Sequence, residues 1–149
     1  MKLICIPVLI LAFLAISPEG YSQITSIPEQ AKENFFKQYP DAENVQWSND
    51  LVNVNARFVQ DGNQMNAEYN NNGIWKRTLK DWTFEKLSGD VKDGFEKSKY
   101  AGKQVLEVKV LYLPGFVIQY RLKVSKNNVE NKFLYFNTTG RLLRSAIAI

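Results

Sequence analysis

Two cations and two aromatic rings carry the chemistry that this chain offers. Arg121 and Lys123 flank Leu122, and Phe133 and Tyr135 flank Leu134. On extended backbone, residues two apart share a face, so each pair points one way and its leucine the other. Rings set beside guanidinium and ammonium groups are the composition of binding hot spots, where they grip a partner without making or breaking covalent bonds. Catalysis has little to work with. The chain has no histidine, and its single cysteine is Cys5. Ser/His and Cys/His nucleophile arrangements therefore cannot be built, and the common zinc sites lose their ligands. The carboxylates sit mostly in turns or on helix surfaces, and none pairs with another in a recognisable motif. No glycine-rich phosphate loop is present, and Asn70-Asn71-Asn72 lacks the alternating acidic spacing and final Glu of a calcium loop. The expectation is a non-enzymatic binder with no catalytic residue, no metal and no cofactor.

Those side chains need strands to hold them, and the strands need helices to lie on. From Ile27 to Trp47 the chain reads IPEQAKENFFKQYPDAENVQW. Ile27, Ala31, Phe35 and Tyr39 recur every four residues and predict an amphipathic helix. Ser26 and Glu29 have the spacing of a capping box, and Pro40 ends the helix because its ring disfavours helical geometry in Tyr39. After Trp47 the period changes to two: Val54, Ala56 and Phe58 alternate with Asn53, Asn55 and Arg57. Asp61-Gly62-Asn63 predicts a hairpin turn, followed by a strand through Tyr69, a turn ending at Gly73 and a strand from Ile74 to Leu79.

The same order then recurs. Leu87, Val91, Phe95 and Val105 match Ile27, Ala31, Phe35 and Val45 at an offset of 60, and Gly140 matches Gly73 at an offset of 67. Strands are expected over 106–112, 116–124, 129–136 and 142–149. This predicts an α+β tandem duplication of a helix plus about four antiparallel strands, forming an extended antiparallel sheet with helices on one face. A lone unit of about 60 residues is marginal, so the halves should pack as one body. Trp82 and Phe84 are expected to pack between them.

Residues 1–22 read differently. A short positive start, an apolar run from Leu3 to Ile16 and a polar exit ending at Ser22 make a secretory signal peptide, too short and proline-interrupted for a retained anchor. Residues 23–86 then form the first repeat and 87–149 the second. Loss of Lys2 and Glu19 with the leader leaves the formal charge at +4, and loss of Cys5 leaves no thiol for a disulfide. Basic residues are interleaved with carboxylates, and secretion also argues against a nucleic-acid partner. A periplasmic or extracellular location is expected, with no membrane span after cleavage.

If Val54, Phe58, Ile118, Tyr120 and Leu122 face the helices, then Arg57, Lys109, Gln119, Arg121, Lys123, Phe133 and Tyr135 lie on the open face of the sheet. These seven are the expected binding residues, and a secreted or periplasmic protein or peptide is the expected partner. A groove between the repeats near Trp82 and Phe84, taking a small apolar or peptide-like ligand, is the alternative.

The helix with its Phe35, the Tyr39-Pro40 turn, the strand with Val45 and Trp47, the turn at Gly62, and the run AEYNNNGIW with Tyr69, Gly73 and Trp75 resemble the PepSY-like, β-lactamase-inhibitor-like (BLIP-like) domain of secreted Bacteroidetes proteins. The resemblance covers nearly all of the chain from Ile27, more loosely in the second half. It implies helices against a concave sheet and a periplasmic or extracellular binder without enzymatic activity. No contact residue of the inhibitor maps onto this chain by position, and inhibition of a β-lactamase is not carried over.

Overall fold

The computed structural model describes residues 26–50, 52–127 and 130–148. The expected signal peptide lies outside the described residues. The elements run α1 (Glu29–Gln38), β1 (Glu43–Asn49), β2 (Val54–Gln60), β3 (Asn63–Tyr69), β4 (Trp75–Trp82), α2 (Gly89–Glu96), β5 (Val105–Leu113), β6 (Val117–Asn127), β7 (Glu130–Asn137) and β8 (Leu142–Ala148). All eight strands form one sheet in the order β1 to β8, each antiparallel to its neighbour. Hairpins supply every connection except that between β4 and β5, where α2 interrupts the meander without breaking it: Thr78 to Trp82 pair with Tyr112 to Val108. The second half's first two strands have 9 and 11 residues against 7 and 7 in the first half.

Each helix buries one stripe on one half of the sheet. Ala31 and Phe35 of α1 pack on Val54, Ala56, Phe58, Ala67 and Tyr69. Phe35 is the hub of this core, with ring centroids 5.0 Å from Phe58, 5.2 Å from Trp47 and 5.4 Å from Tyr39, the first two edge to face. Val91 and Phe95 of α2 pack with Leu87, Tyr100, Val108, Leu122, Val124, Leu134 and Phe136. Both helices therefore lie on the same face, and among the described residues the other face carries no helix.

The two halves close on their helices with the same turn. The Asn70 side-chain oxygen accepts hydrogen bonds from the backbone N–H groups of Asn72 and Ile74, both at 2.9 Å. The Asn137 side-chain oxygen accepts from those of Thr139 at 3.2 Å and Arg141 at 2.8 Å. Each turn ends in a glycine of positive φ, Gly73 at 75° and Gly140 at 76°. Neither glycine has room for a side chain: a Cβ on Gly73 would meet the backbone of Ala31 in α1, and one on Gly140 would overlap the backbone carbonyl of Asp90 in α2. Glycine is required here on both conformational and steric grounds.

One local expectation is corrected. The capping box at Ser26 does not form. Pro28, with ψ 132°, occupies the N-cap position and the helix starts after it, which leaves the Ser26 hydroxyl too far upstream; α1 has no side-chain cap. It is α2 that has one, from Ser88 to the N–H of Val91 at 3.4 Å. Trp82 and Phe84, the last aromatics of the first half, pack into the second half's core, as expected of residues at the join. β4 runs on to Trp82, which pairs with Val108, and both aromatics join the core under α2, with Phe84 edge-on to Phe95 at 5.8 Å. The continuous β4–β5 pairing carries them there.

Candidate functional site

The register fixes which side chains share the uncovered face. Across the strands, Arg57, Asn66, Leu79, Leu111 and Gln119 form one transverse row. Asp81, Lys109, Arg121, Tyr135 and Arg144 form the next, and Glu107, Lys123, Phe133 and Ala146 the third. All seven residues expected to bind therefore lie on the open face, Arg57 and Gln119 in the first row, Lys109, Arg121 and Tyr135 in the second, Lys123 and Phe133 in the third. Their alternation with Leu122, Leu134 and Val108, which face the helices, is what holds them there.

The aromatic rings are not free platforms. Tyr135 is only 6% exposed and forms an apolar cluster with Leu79 and Leu111, against which Phe133 and Ala146 pack. Arg144 covers the Tyr135 ring, while Phe133 lies under Arg121 at 4.4 Å and Lys123 at 5.9 Å, measured from the charged group to the ring centroid. Cross-strand proximity explains this packing: Arg144 stands directly opposite Tyr135, and Lys123 opposite Phe133. The open face is thus an apolar strip roofed by cations.

Most of those cations have partners. Lys109 binds Asp81 and lies 3.8 Å from Glu107, and Arg121 binds the same Glu107 at 2.9 Å. Farther along, Arg77 binds the buried Glu68 at 2.7 Å. Glu68, Asp81 and Glu107 were not among the expected site residues, because the alternation places a carboxylate on this face but cannot show which cation it meets. Arg57 is exposed and makes no ion pair among the described residues. It borders a groove of ≈ 450 Å³ lined also by Asn66, Glu68, Asp81, Lys109 and Arg121. Two polar atoms beside this groove, Nε of Arg121 and Oδ1 of Asn66, are buried without a hydrogen-bond partner among the described residues.

A second concavity lies on the helix face where the halves meet. It encloses ≈ 520 Å³ and is lined by Tyr39, Met65, Trp75, Tyr112, Phe116 and Ile118, among others. It lies beside α1 and the β5–β6 hairpin, away from Trp82 and Phe84, where the groove between the repeats is expected. One wall is fixed by a hydrogen-bond chain: Trp75 Nε1 donates to Thr78 Oγ1 at 2.9 Å, the Thr78 and Tyr39 hydroxyls share a 2.6 Å bond, and Gln38 Nε2 donates to Tyr39 at 3.1 Å. Burial pushes the phenols of both Tyr39 and Tyr112 above their ordinary value. At the rim, Phe116 is fully exposed and has φ 59°. The apolar run Phe116-Val117-Ile118 directly after Pro114-Gly115 is the sequence signal for this tip.

Among the described residues no group of side chains could hold a metal ion, and no helix is long and apolar enough to cross a membrane.

No protein-family model matches the chain, and no curated protein matches it. Solved structures do. A DUF2874 family protein of Bacteroides ovatus is 29% identical, with a TM-score of 0.74 over 82% of this chain and 88% of that one. A protein of Bacteroides eggerthii, provisionally described as periplasmic, is 23% identical with a TM-score of 0.71 over 82% and 89%. A BLIP-like protein of Bacteroides fragilis is 22% identical with a TM-score of 0.73 over 83% and 87%. The expected periplasmic or extracellular location agrees with the description of the second neighbour. One open antiparallel sheet of eight strands with two helices on one face, shared with these neighbours, gives the chain a BLIP-like α+β fold.

Proposed function

We propose that this chain is a non-enzymatic periplasmic binding module whose uncovered sheet face receives an extended segment of a secreted or periplasmic protein. One observation carries the reading. Among the described residues, Arg121 Nε, a donor, and Asn66 Oδ1, an acceptor, are buried and unsatisfied beside an exposed Arg57 that makes no ion pair. An unsatisfied buried polar group costs about 1–3 kcal/mol, and a peptide backbone carries both the acceptor and the donor that would relieve it. Arg57 adds a preference for an acidic side chain on that segment. The BLIP-like neighbour supports an inhibitor-like or protein-interaction role. The offset-60 matches and the repeated Asn turn support a tandem duplication of residues 23–86 and 87–149, following a signal peptide at 1–22.

A second reading rests on the apolar concavity at Tyr39, Trp75 and Tyr112, whose volume and aromatic lining suit a small apolar ligand or one apolar side chain of a peptide. The two are separated by photo-crosslinking in the periplasm, with the reactive group placed at Arg57, at Phe116 or at Glu33 on the outer face of α1. The open-face reading expects adducts at Arg57 alone. Adducts at Phe116 in their place would move the function to the concavity.

A further inference from the structure

The concavity on the helix face holds a polar group that the fold leaves unmatched. Its wall is fixed by the chain from Trp75 through Thr78 and Tyr39 to Gln38, whose polar groups bond to one another. Gln60 stands apart from that chain. It is the last residue of β2, and alternation with Val54, Ala56 and Phe58 puts it on the helix face. Gln60 lines the concavity, and its Oε1 is buried without a hydrogen-bond partner among the described residues, the one such atom in this lining. A buried acceptor left unpaired destabilises the chain, and a donor brought in by a ligand relieves it.

The rest of the lining narrows the ligand. Tyr39, Trp75, Tyr112 and Phe116 supply rings, which favour another ring in offset or edge-on contact. The two charges, Asp61 and Lys80, are opposite in sign, so the site has no net charge with which to attract an ion. At the rim, Phe116 holds its ring fully exposed on backbone of φ 59°, the left-handed region that costs any residue with a side chain. No side-chain contact within the described residues offsets that strain, and a ligand in the concavity would supply one.

We infer that the concavity binds a small, neutral aromatic molecule through one hydrogen bond donated to Gln60 Oε1. This rests on the second reading above and gives it a ligand class. The volume, ≈ 520 Å³, lies within the range of small-molecule sites, about 300–1,000 Å³. The site and Arg57 lie on opposite faces of the sheet, so this inference and the open-face reading stand or fall separately.

Naphthol and its methyl ether test it, because they present the same rings and only naphthol has a donor. The readout is methyl-labelled methionine in magnetic resonance: the chain has two, Met1 in the expected leader and Met65 in the wall of the concavity. The Met65 signal should move with either probe, and naphthol should bind about three- to tenfold more tightly, the effect of one neutral hydrogen bond. That comparison needs no variant. Gln60→Leu, which keeps the bulk of the side chain, should remove the preference, and Phe116→Ser should weaken both probes while keeping it. Equal binding of the two probes by the unmodified chain, or a preference that survives Gln60→Leu, would overturn the inference and leave the second reading standing. A Met65 signal that moves with neither probe would remove both. A capped tyrosine peptide that binds more tightly than naphthol would also overturn the inference, by making the occupant a peptide side chain.

Discussion

The guanidinium carbon of Arg144 lies 3.4 Å from the centre of the Tyr135 ring, and that ring forms the middle of the apolar strip on the sheet's helix-free face. A ring so placed serves stability. Tyr135→Ala should cost about 3 kcal/mol, the range for removing a buried aromatic, whereas Arg144→Ala should cost no more than about 1 kcal/mol for the lost cation-ring contact. Urea denaturation measures both. Equal small losses would mean that Tyr135 is not the anchor of this strip.

The glycine turns give a graded set. Gly62→Ala meets nothing within 4 Å but has φ 69°, so only the left-handed backbone is penalised, by about 1 kcal/mol. Gly140→Ala adds overlap with α2 and should cost about 3 kcal/mol. Thermal unfolding of the two variants side by side checks the difference, and similar melting temperatures would show that the turn does not bear on the helix.

Two buried phenols should behave oppositely. The Tyr69 hydroxyl is buried with no partner among the described residues, so Tyr69→Phe should leave stability unchanged or raise it by about 1 kcal/mol. Tyr39→Phe breaks the bond to Thr78 and should lower stability by about 1 kcal/mol. Denaturation midpoints distinguish the pair.

Alkaline pH acts through the same residues. Burial raises the folded-state values of Tyr39, Tyr69 and Tyr112 above the ordinary 10.0. Below that pH both folded and unfolded chains keep these phenols protonated, so they contribute no pH dependence. As pH rises past 10.0 the unfolded chain ionises first, and stability falls until the folded values are passed. The free energy of unfolding should therefore be flat from these groups up to about pH 10 and decline beyond it, less steeply in Tyr69→Phe.

At the hairpin tip, Phe116→Ser removes a fully exposed ring and should change stability by less than about 0.5 kcal/mol. It also removes part of the rim of the helix-face concavity. Fluorescence of an apolar naphthalene dye should report weaker uptake if that concavity takes ligands, while unchanged uptake would remove the second reading.

The fold was legible where periodicity and turn chemistry agree. Ile27, Ala31, Phe35 and Tyr39 gave the first helix, the alternation around Val54 and Phe58 gave the strand face, and Asn-rich segments ending in Gly73 and Gly140 gave the turns. Face assignment carried the seven open-face residues to the correct side. What alternation could not convey is which neighbours meet across strands. Tyr135 read as an outward aromatic, yet Arg144 on β8 and Leu111 on β5 bury it, and that depends on register between strands far apart in sequence. The cap at Ser26 failed because Pro28 delays the helix start.

The central claim is that the uncovered face binds, and Arg57→Glu tests it most directly. Its side chain is exposed and unpaired among the described residues, so reversal of its charge leaves the fold intact. With photo-crosslinkers carried at Gln119 on the same face and at Glu33 on the helix face, the account predicts periplasmic adducts at Gln119 that disappear in the Arg57→Glu background and none at Glu33. Adducts at Glu33, or adducts at Gln119 indifferent to the charge at position 57, would contradict it.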